Sequence, residues 1–214
     1  SFEEFEQIGR EFVQALNEPG EYQDVFFMRP MSVWDRVIFM RSMGVDLFNE
    51  TMTRSNMDHP IAQKVYQMCY RWVNEVKIIP TKMEAEGLSS SSGGGSRVEV
   101  FLFRAGNFGL LAMGRWGLMH FRKVGPKKLA VCELPNGGFR NTIISYGAGV
   151  IYKGSSNKNL AGYLLKFYAS EVYNDQINAN ADALPPIPSY TEKDSFLYPP
   201  DHPNEWGLHG KIRR

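Results

Sequence analysis

Cysteine is scarce in this sequence, and the two residues present do not form a metal-binding pattern. Cys69 and Cys132 are far apart, and no Cys-x-x-Cys spacing occurs. Cys69 falls within a helical apolar pattern and Cys132 within a strand-like one, so we expect two buried thiols. These cysteines predict no metal site, and they leave the cellular compartment open.

Long apolar runs and an excess of one charge are also lacking. No run reaches the ~20 apolar residues that a membrane-spanning helix needs. Lysine and arginine number 24 against 23 acidic residues, a formal net charge of +1, so a broad basic face for nucleic acid is not expected. The chain has no signal-peptide pattern and no initiator methionine. We therefore expect a processed or excised piece of a protein, and this sequence does not indicate where that protein is targeted.

The common catalytic motifs are missing as well. There is no Gly-x-Ser-x-Gly elbow, no phosphate-binding loop and no His-Glu-x-x-His helix. General acid–base catalysis needs two ionisable groups that converge in one pocket. The candidates are Glu133, Asp201, His120 and His202, and nothing in their spacing pairs any two of them. A thiol–imidazole pair of His120 and Cys132 can be imagined, but closeness in sequence says little about it. We predict a protein that is not an enzyme and needs no cofactor.

Aromatic residues, by contrast, are plentiful: 14 Phe, 10 Tyr and 4 Trp make up 13% of the chain. A predicted strand at 98–103 leads into the segment 103–116. There a short apolar helix ends at Gly114, and Trp116 follows. An indole beside a glycine turn offers a flat apolar face and one N–H donor, which suits the C–H face of a sugar ring. A tryptophan at such a turn is also a common core residue, so both interpretations stay open.

Capping patterns and hydrophobic periodicity predict alternating helices and strands. The predicted helices begin at Ser1, Ser32, Asp58 and Leu160, and they end at Pro19, Gly44, Pro80 and Ile177. The predicted strands are 25–28, 98–103, 128–134 and 142–152. Residues 89–96 (SSSSGGGS) predict a flexible surface loop, with an engineered linker as the alternative. Residues 184–206 predict loops and short helices. This alternation is typical of an α/β layered fold.

Three segments in a fixed order carry a further pattern. Residues 1–5 (SFEEF) are similar to a Thr-Trp-Glu-Glu-Phe helix opening. The series Phe103-x-x-Gly106 and Gly114-x-Trp116 is similar to a Phe-x-x-Gly-x-x-Ala-Met-x-x-x-Gly-x-Trp signature, with Gly-Leu in place of Ala-Met. Residues 149–158 (GVIYKGSSNK), followed by 161–171 and 183–185, resemble a strand, turn, helix and Leu-Pro crossing. Together the segments resemble the extracellular solute-binding proteins of family 1, the sugar-binding components of ABC importers of the maltose-binding type.

The resemblance implies an α/β fold that is type II periplasmic-binding-protein-like, a sheet flanked by helices, with one lobe and part of the other present. Residues 1–138, including the loop 89–96, would form the second, C-terminal-type lobe. Residues 139–182 would be the strand and helix that return to the first lobe, and 183–214 would be the crossing segment and a tail rich in proline and aromatics. The N-terminal part of the first lobe and the final helices would be absent.

The resemblance also implies a ligand site, because that family binds its ligand between the lobes and closes about a hinge. At one turn, Trp116 would stack on a sugar ring, and Arg115 would donate paired hydrogen bonds to hydroxyls or to an acidic sugar. At a second turn, the candidates are Arg29, Met31 and Trp34. The alternatives are a core role for Trp34 and solvated surface charges for the two arginines.

Two further residues are candidates with a structural alternative. Asn141 lies at the implied crossing and would bond a hydroxyl, although an asparagine here also suits a turn. Trp206 would cap the cleft, or it would anchor the proline-rich tail locally. The two arginines, Arg29 and Arg115, predict an acidic or heavily hydroxylated ligand.

The function that the resemblance implies is capture of a carbohydrate in an inter-lobe cleft and its delivery to an ABC permease. The expected partners are a sugar or oligosaccharide and the permease subunits, with no nucleic acid, and the protein is expected to be monomeric. Its expected location is the periplasm or the cell exterior, with a lipid anchor as an option for the full-length protein. The alternatives are a lectin-like or interaction domain without transport and, with less support, a carbohydrate-active enzyme.

Overall fold

The chain divides into two compact units, and each is described here by itself. The computed structural model describes residues 1–89, 98–123, 128–145 and 147–213, so the predicted loop 89–96 lies outside the described residues except for its first position. The first unit is Ser1–Ala112 with Glu133–Ile144, and the second is Met113–Cys132 with Ser145–Arg214. The lobe boundaries expected after residues 138 and 182 stay a prediction.

In the first unit, helices alternate with a small parallel sheet. The helices are α1 (Phe2–Leu16), α2 (Val33–Ser42), α3 (Pro60–Asn74), α4 (Lys82–Ser89) and α5 (Val98–Ala105), and the strands are β1 (Phe26–Met28) and β2 (Phe108–Leu110). The strands run parallel, with Phe26 opposite Phe108 and Met28 opposite Leu110. A parallel pair needs a long crossover, and α2 to α5 supply it. The predicted α/β class is confirmed.

The described residues of the second unit are helical or irregular. The helices are α6 (Gly117–Arg122), α7 (Lys158–Tyr168), α8 (Glu171–Asn180), α9 (Asp194–Leu197) and α10 (His209–Arg213), with 3₁₀ helices at Pro188–Glu192 and Pro203–Glu205. The loops and short helices predicted for 184–206 are confirmed. The single helix predicted from residue 160 to residue 177 is wrong. Ser170 interrupts it, because its hydroxyl accepts a hydrogen bond from Tyr173 N (3.3 Å) and begins α8.

Helix ends in the first unit follow the capping patterns of the sequence. Ser1 and Ser32 both form the predicted capping boxes. Helix α2 ends at Ser42 with Met43 as its C-cap, and Gly44 follows with a φ of +86°, the left-handed conformation that glycine adopts without strain after a helix. The cap of α3 is His59, one residue later than predicted, and it accepts a hydrogen bond from Ile61 N (3.1 Å).

The predicted order of strand and helix around Gly106 is reversed. Residues 98–105 form α5 rather than a strand, and 108–110 form β2 rather than a helix. Gly106 has a φ of +96° and donates to Phe103 O (3.3 Å), while Asn107 N donates to Leu102 O (2.9 Å). This pair of bonds is a Schellman helix end. A short apolar run fits a strand or a helix equally well, and the helix-ending glycine was the deciding signal.

The strands predicted at 128–134 and 142–152 are wrong, since no residue described in those ranges belongs to a strand. The chain near residue 138 instead bonds to the end of α2. Gly137 N donates to Ser42 Oγ (3.0 Å), and Phe139 N donates to Ser42 O (3.1 Å). An apolar run forms a strand only where another strand can satisfy its backbone, and neither strand of the described residues pairs with these ranges.

Aromatic side chains fill the core of the first unit. Trp72 of α3 is 1% exposed, and its ring centroid lies 4.8 Å from that of Phe5 and 5.9 Å from that of Phe39. Its indole N–H donates to Glu6 Oε2 (3.0 Å), which satisfies the polar end of a buried tryptophan. Phe27 and Met28 of β1 belong to the same core. The chain that follows β1 therefore starts from a rigid base.

The two thiols differ in exposure. Cys69 is buried, as predicted, whereas Cys132 is exposed, so the prediction of two buried thiols is wrong for Cys132. The error follows from the strand assigned to 128–134, since a half-buried strand would have covered it.

None of the helices in the described residues is long and apolar enough to cross a bilayer. The same residues contain no group of three His, Cys, Asp or Glu side chains placed to hold a metal ion.

Candidate functional site

Arg29 is a buried anchor for the turn that precedes α2. It follows β1 directly and is 8% exposed. Its Nη1 and Nη2 donate to the two carboxylate oxygens of Asp35 (3.0 and 3.1 Å), and its Nε donates to Ala112 O (2.9 Å). Asp35 also completes the capping box of Ser32. The bidentate pair therefore joins the end of β1, the first turn of α2 and the chain after β2.

This anchor leaves Trp34 at the surface and Met31 against the core. Trp34 lies in the first turn of α2 and is 58% exposed, so it is not the core residue considered as its alternative. Met31 is partly buried and packs against the aromatic core. Of the three candidates at this turn, only the indole of Trp34 presents a broad free surface.

Asn141 has a structural partner. Its side-chain Nδ2 donates to Ile38 O (3.0 Å), and the residue is half-buried. This bond fixes the segment 133–144 against α2, in line with the turn-stabilising alternative.

In the second unit, Gly114 and Trp116 form the turn before α6. Trp116 is 47% exposed, and its ring meets that of His120 edge to face, with centroids 5.8 Å apart. A Cβ added to Gly114 would lie 2.8 Å from both Cδ1 and Nε1 of Trp116. Glycine is needed here because the indole folds back against the backbone of the turn.

Arg115, next to that indole, is buried within its own unit at 4% exposure. Its Nη1 donates to Ile177 O (3.1 Å) and Ala183 O (2.8 Å), and its Nη2 donates to Asn178 O (2.9 Å). Burial, together with a neighbouring cation, lowers the pKa of Arg115 to about 10, so the group is charged at neutral pH. Its Nε donates to Nδ1 of His209 (3.2 Å), so Arg115 makes four hydrogen bonds to groups of its own unit.

A buried network that the sequence analysis did not find continues from Arg115. His209, which is 0% exposed, lies 3.0 Å from Glu205 through its Nε2. Glu205 in turn receives two hydrogen bonds from Arg122 (2.7 and 2.8 Å). Burial would raise the pKa of the Glu205 carboxyl, but the hydrogen bonds from Arg122 and His209 outweigh it and hold that pKa at about 2. The Glu-x-x-x-His spacing was the available signal.

This carboxylate–imidazole pair does not make a catalytic site. Both side chains lie inside the unit, and Arg122 occupies both carboxylate oxygens of Glu205. A general acid or base must reach a substrate, and a group with no exposed surface cannot. Among the earlier candidates, Glu133 is exposed and paired with Arg140 (2.9 Å).

Trp206 is held by its own loop. Its indole N–H donates to Pro199 O (3.0 Å), and its ring meets Tyr198 edge to face, with centroids 6.0 Å apart. The ring is 52% exposed, but the bond to Pro199 matches the local-anchor alternative.

The candidates therefore separate into supports and exposed surfaces. Arg29, Arg115 and Asn141 donate to groups of their own units, and Trp34 and Trp116 expose their indoles. Since neither guanidinium reaches the surface, the expectation of an acidic or heavily hydroxylated ligand loses its basis. Among the described residues, neither exposed indole N–H makes a hydrogen bond.

No family model matches the sequence, and no curated protein matches it. In structure, the chain is similar to the ABC substrate-binding protein Lmo0181 from Listeria monocytogenes, solved in complex with cycloalternan, with a TM-score of 0.65 at 16% sequence identity. The match covers 97% of this chain and 51% of that protein. The chain thus spans about half the length of the substrate-binding protein that it matches, and its fold is that of part of such a protein.

Proposed function

We propose that this chain is the ligand-binding part of a sugar-specific substrate-binding protein of an ABC importer, of the family 1, maltose-binding type. In this proposal it acts outside the cytoplasmic membrane as a monomer, and it passes a neutral mono- or oligosaccharide to a permease. Binding alone is its task, so it is not an enzyme and needs no cofactor. The observation that carries the proposal is the fold shared with a protein solved in complex with cycloalternan.

The two exposed indoles supply chemistry that suits a sugar. Each offers an apolar face for the C–H surface of a pyranose and an N–H donor for a hydroxyl. Trp34 stands on the turn fixed by Arg29 and Asp35, and Trp116 stands beside the buried Arg115. Rigid supports reduce the entropy lost when a ligand orders these side chains.

The sequence motifs and the fold both support the proposal. The motifs resemble those of sugar-binding components of ABC importers, and the match to a substrate-binding fold covers 97% of the chain. The match spans half of that protein, so transport and delivery to a permease are proposed here and are not shown by the match.

A thermal-shift screen of the natural polypeptide that carries this sequence would test it. The panel would hold neutral, acidic and sulfated mono- and oligosaccharides, with cycloalternan among them. We expect one class of neutral sugar to raise the melting temperature, and we expect Trp116→Ala and Trp34→Ala to reduce that shift. Tyr70→Ala is the matched control, because Tyr70 is an exposed aromatic on α3 outside both turns.

A panel in which no sugar shifts the melting temperature would overturn the carbohydrate ligand while leaving the fold intact. A shift that survives both tryptophan variants would keep the ligand class and remove the assigned contacts. Binding without any closure detectable by small-angle scattering would favour a lectin-like protein over a transport component.

A further inference from the structure

The imidazole of His120 contacts the indole of Trp116, one helical turn away. Trp116 is the N-cap of α6, and its backbone oxygen accepts a hydrogen bond from Met119 N (3.2 Å). Residues four apart lie on the same face of a helix, and helical side chains lean toward the N-terminus. The two rings accordingly meet almost at right angles, with an interplanar angle of 85° and centroids 5.8 Å apart. This is an edge-to-face geometry that aromatic pairs prefer.

The main chain that carries the two rings is fixed by other residues. Leu118 and Phe121, on the opposite face of α6, are 7% and 8% exposed, so they anchor the helix in its unit. Arg115, next to the indole, donates to three backbone oxygens of the same unit (2.8 to 3.1 Å). The freedom that remains at this turn is therefore the rotation of the Trp116 side chain about its own torsions.

Two contacts limit that rotation. The backbone of Gly114 lies against one edge of the indole, because a Cβ added to Gly114 would be 2.8 Å from Cδ1 and Nε1 of Trp116. The ring of His120 supplies the second contact. Trp116 nevertheless keeps 47% of its surface exposed. With both contacts in place, the indole presents one face and one N–H direction to solvent, and without His120 it is free to turn.

We propose that His120 is a positioning residue, which holds the exposed indole of Trp116 in the orientation that stacks on a sugar ring. This inference rests on the proposed function, and it assigns no sugar contact to His120 itself. A side chain that is ordered before the ligand arrives loses less entropy on binding, so the contact raises the affinity through Trp116. The role needs a flat ring at position 120 and no proton transfer, so phenylalanine should fill it.

A double-mutant cycle would test this role by calorimetric titration of the natural polypeptide with the sugar that gives the largest thermal shift. We expect His120→Ala to bind about fivefold more weakly and His120→Phe to stay within about twofold of the wild type. In a Trp116→Ala background, His120→Ala should change the affinity by less than about twofold, because a residue that acts through an indole has no effect without it. An equal loss in both backgrounds would show a separate role for His120 and overturn the inference.

Tyr198→Ala is the matched control, because it removes the same kind of contact from another exposed tryptophan of the second unit. The rings of Tyr198 and Trp206 meet at 86° with centroids 6.0 Å apart, and Trp206 is 52% exposed. This variant should bind sugar as the wild type does. A loss as large as that in His120→Ala would show that the contact with Trp116 is not the cause, and it would overturn the inference. His120→Leu takes the place of His120→Ala if the alanine variant fails to fold.

A measurement without sugar separates this inference from the proposed function. The protein is labelled with 5-fluorotryptophan, and the signal of Trp116 is identified by its loss in Trp116→Phe. We expect the rotating-frame relaxation rate of that fluorine to fall by roughly 1.5-fold or more in His120→Ala and to recover in His120→Phe, since a released indole moves on the nanosecond timescale. The rate of Trp72, which is 1% exposed, should not change.

The titration and the relaxation measurement fail in different ways. If no sugar binds, the proposed function fails, and a relaxation rate that falls in His120→Ala still supports His120 as the residue that holds the indole. If a sugar binds but the relaxation rate of Trp116 is the same in the wild type and in His120→Ala, the proposed function stands and the inference is overturned.

Discussion

The Nδ1 atom of His209 accepts a hydrogen bond from Arg115, and its Nε2 atom lies 3.0 Å from the carboxylate of Glu205. These two contacts fix the imidazole tautomer, because the nitrogen that faces Arg115 must be free of hydrogen. The turn that presents Trp116 is thereby tied to the C-terminal helix of the same unit.

Glu205→Gln should destabilise the second unit by about 3 kcal/mol, because it removes the buried carboxylate that pairs with the partly buried Arg122. Chemical denaturation followed by circular dichroism measures this. Glu192→Gln is the control in the same unit, since Glu192 pairs with Arg213 at the surface (2.9 Å) and should cost under about 1 kcal/mol. Equal losses in the two variants would contradict a buried network.

The same carboxylate predicts an acid-sensitive stability. Its pKa is about 2 in the folded chain against 4.5 as the ordinary value, so its contribution is present in full above pH 4.5. That contribution is lost as the pH falls from 4.5 towards 2. Unfolding free energies measured at several values in this window should fall less steeply for Glu205→Gln than for the wild type. The same pH dependence of the unfolding free energy in both proteins would show that the charge of the Glu205 carboxylate does not stabilise the fold.

Arg29→Lys should destabilise the first unit by about 2 kcal/mol and weaken ligand binding, because one ammonium cannot replace a bidentate guanidinium and its bond to Ala112. Arg41→Lys is the control, as Arg41 pairs with Asp46 at the surface (2.9 Å). Denaturation and calorimetric titration measure the two effects. A variant as stable as the wild type would show that the pair does not hold the turn.

Gly114→Ala should weaken sugar binding while costing little stability, since the added methyl would lie 2.8 Å from the Trp116 indole and displace it. Gly162→Ala is the matched control. A Cβ at Gly162 meets nothing within 4 Å, so this change in the middle of α7 should stabilise the helix by up to about 1 kcal/mol. Unchanged affinity in Gly114→Ala would show that the position of the Trp116 indole does not affect sugar binding.

Thiol titration should distinguish the two cysteines. Burial raises the pKa of the Cys69 thiol to about 11, and Cys132 is exposed. One equivalent should therefore react with an aromatic disulfide reagent in the native chain, and two should react in denaturant. Rapid reaction of both thiols in the native state would contradict the packing of α3.

The sequence predicted best those features that local chemistry decides. The capping boxes at Ser1 and Ser32 and the helix end at Gly44 depend on a few neighbouring residues, and all three are confirmed. The reversal around Gly106 shows the limit, since a six-residue apolar run fits either a strand or a helix.

The site residues show the same division. The sequence marked Arg29 and Arg115 as polar contacts, but their burial depends on partners that are distant in the chain, such as Ala112 and Ile177. No local sequence pattern predicts hydrogen-bond partners that are this distant in the chain. The exposure of Trp34 and Trp116 is likewise a tertiary property.

The central claim is that Trp116 contacts a bound sugar, and calorimetric titration of the natural polypeptide tests it most directly. The titrant is the sugar that gives the largest thermal shift, measured against the wild type, Trp116→Ala and Trp116→Phe. We predict an affinity at least tenfold weaker in Trp116→Ala, equivalent to about 1.4 kcal/mol, with Trp116→Phe in between because it keeps the apolar face. Equal affinities in the wild type and Trp116→Ala, or no sugar that binds at all, would contradict the account.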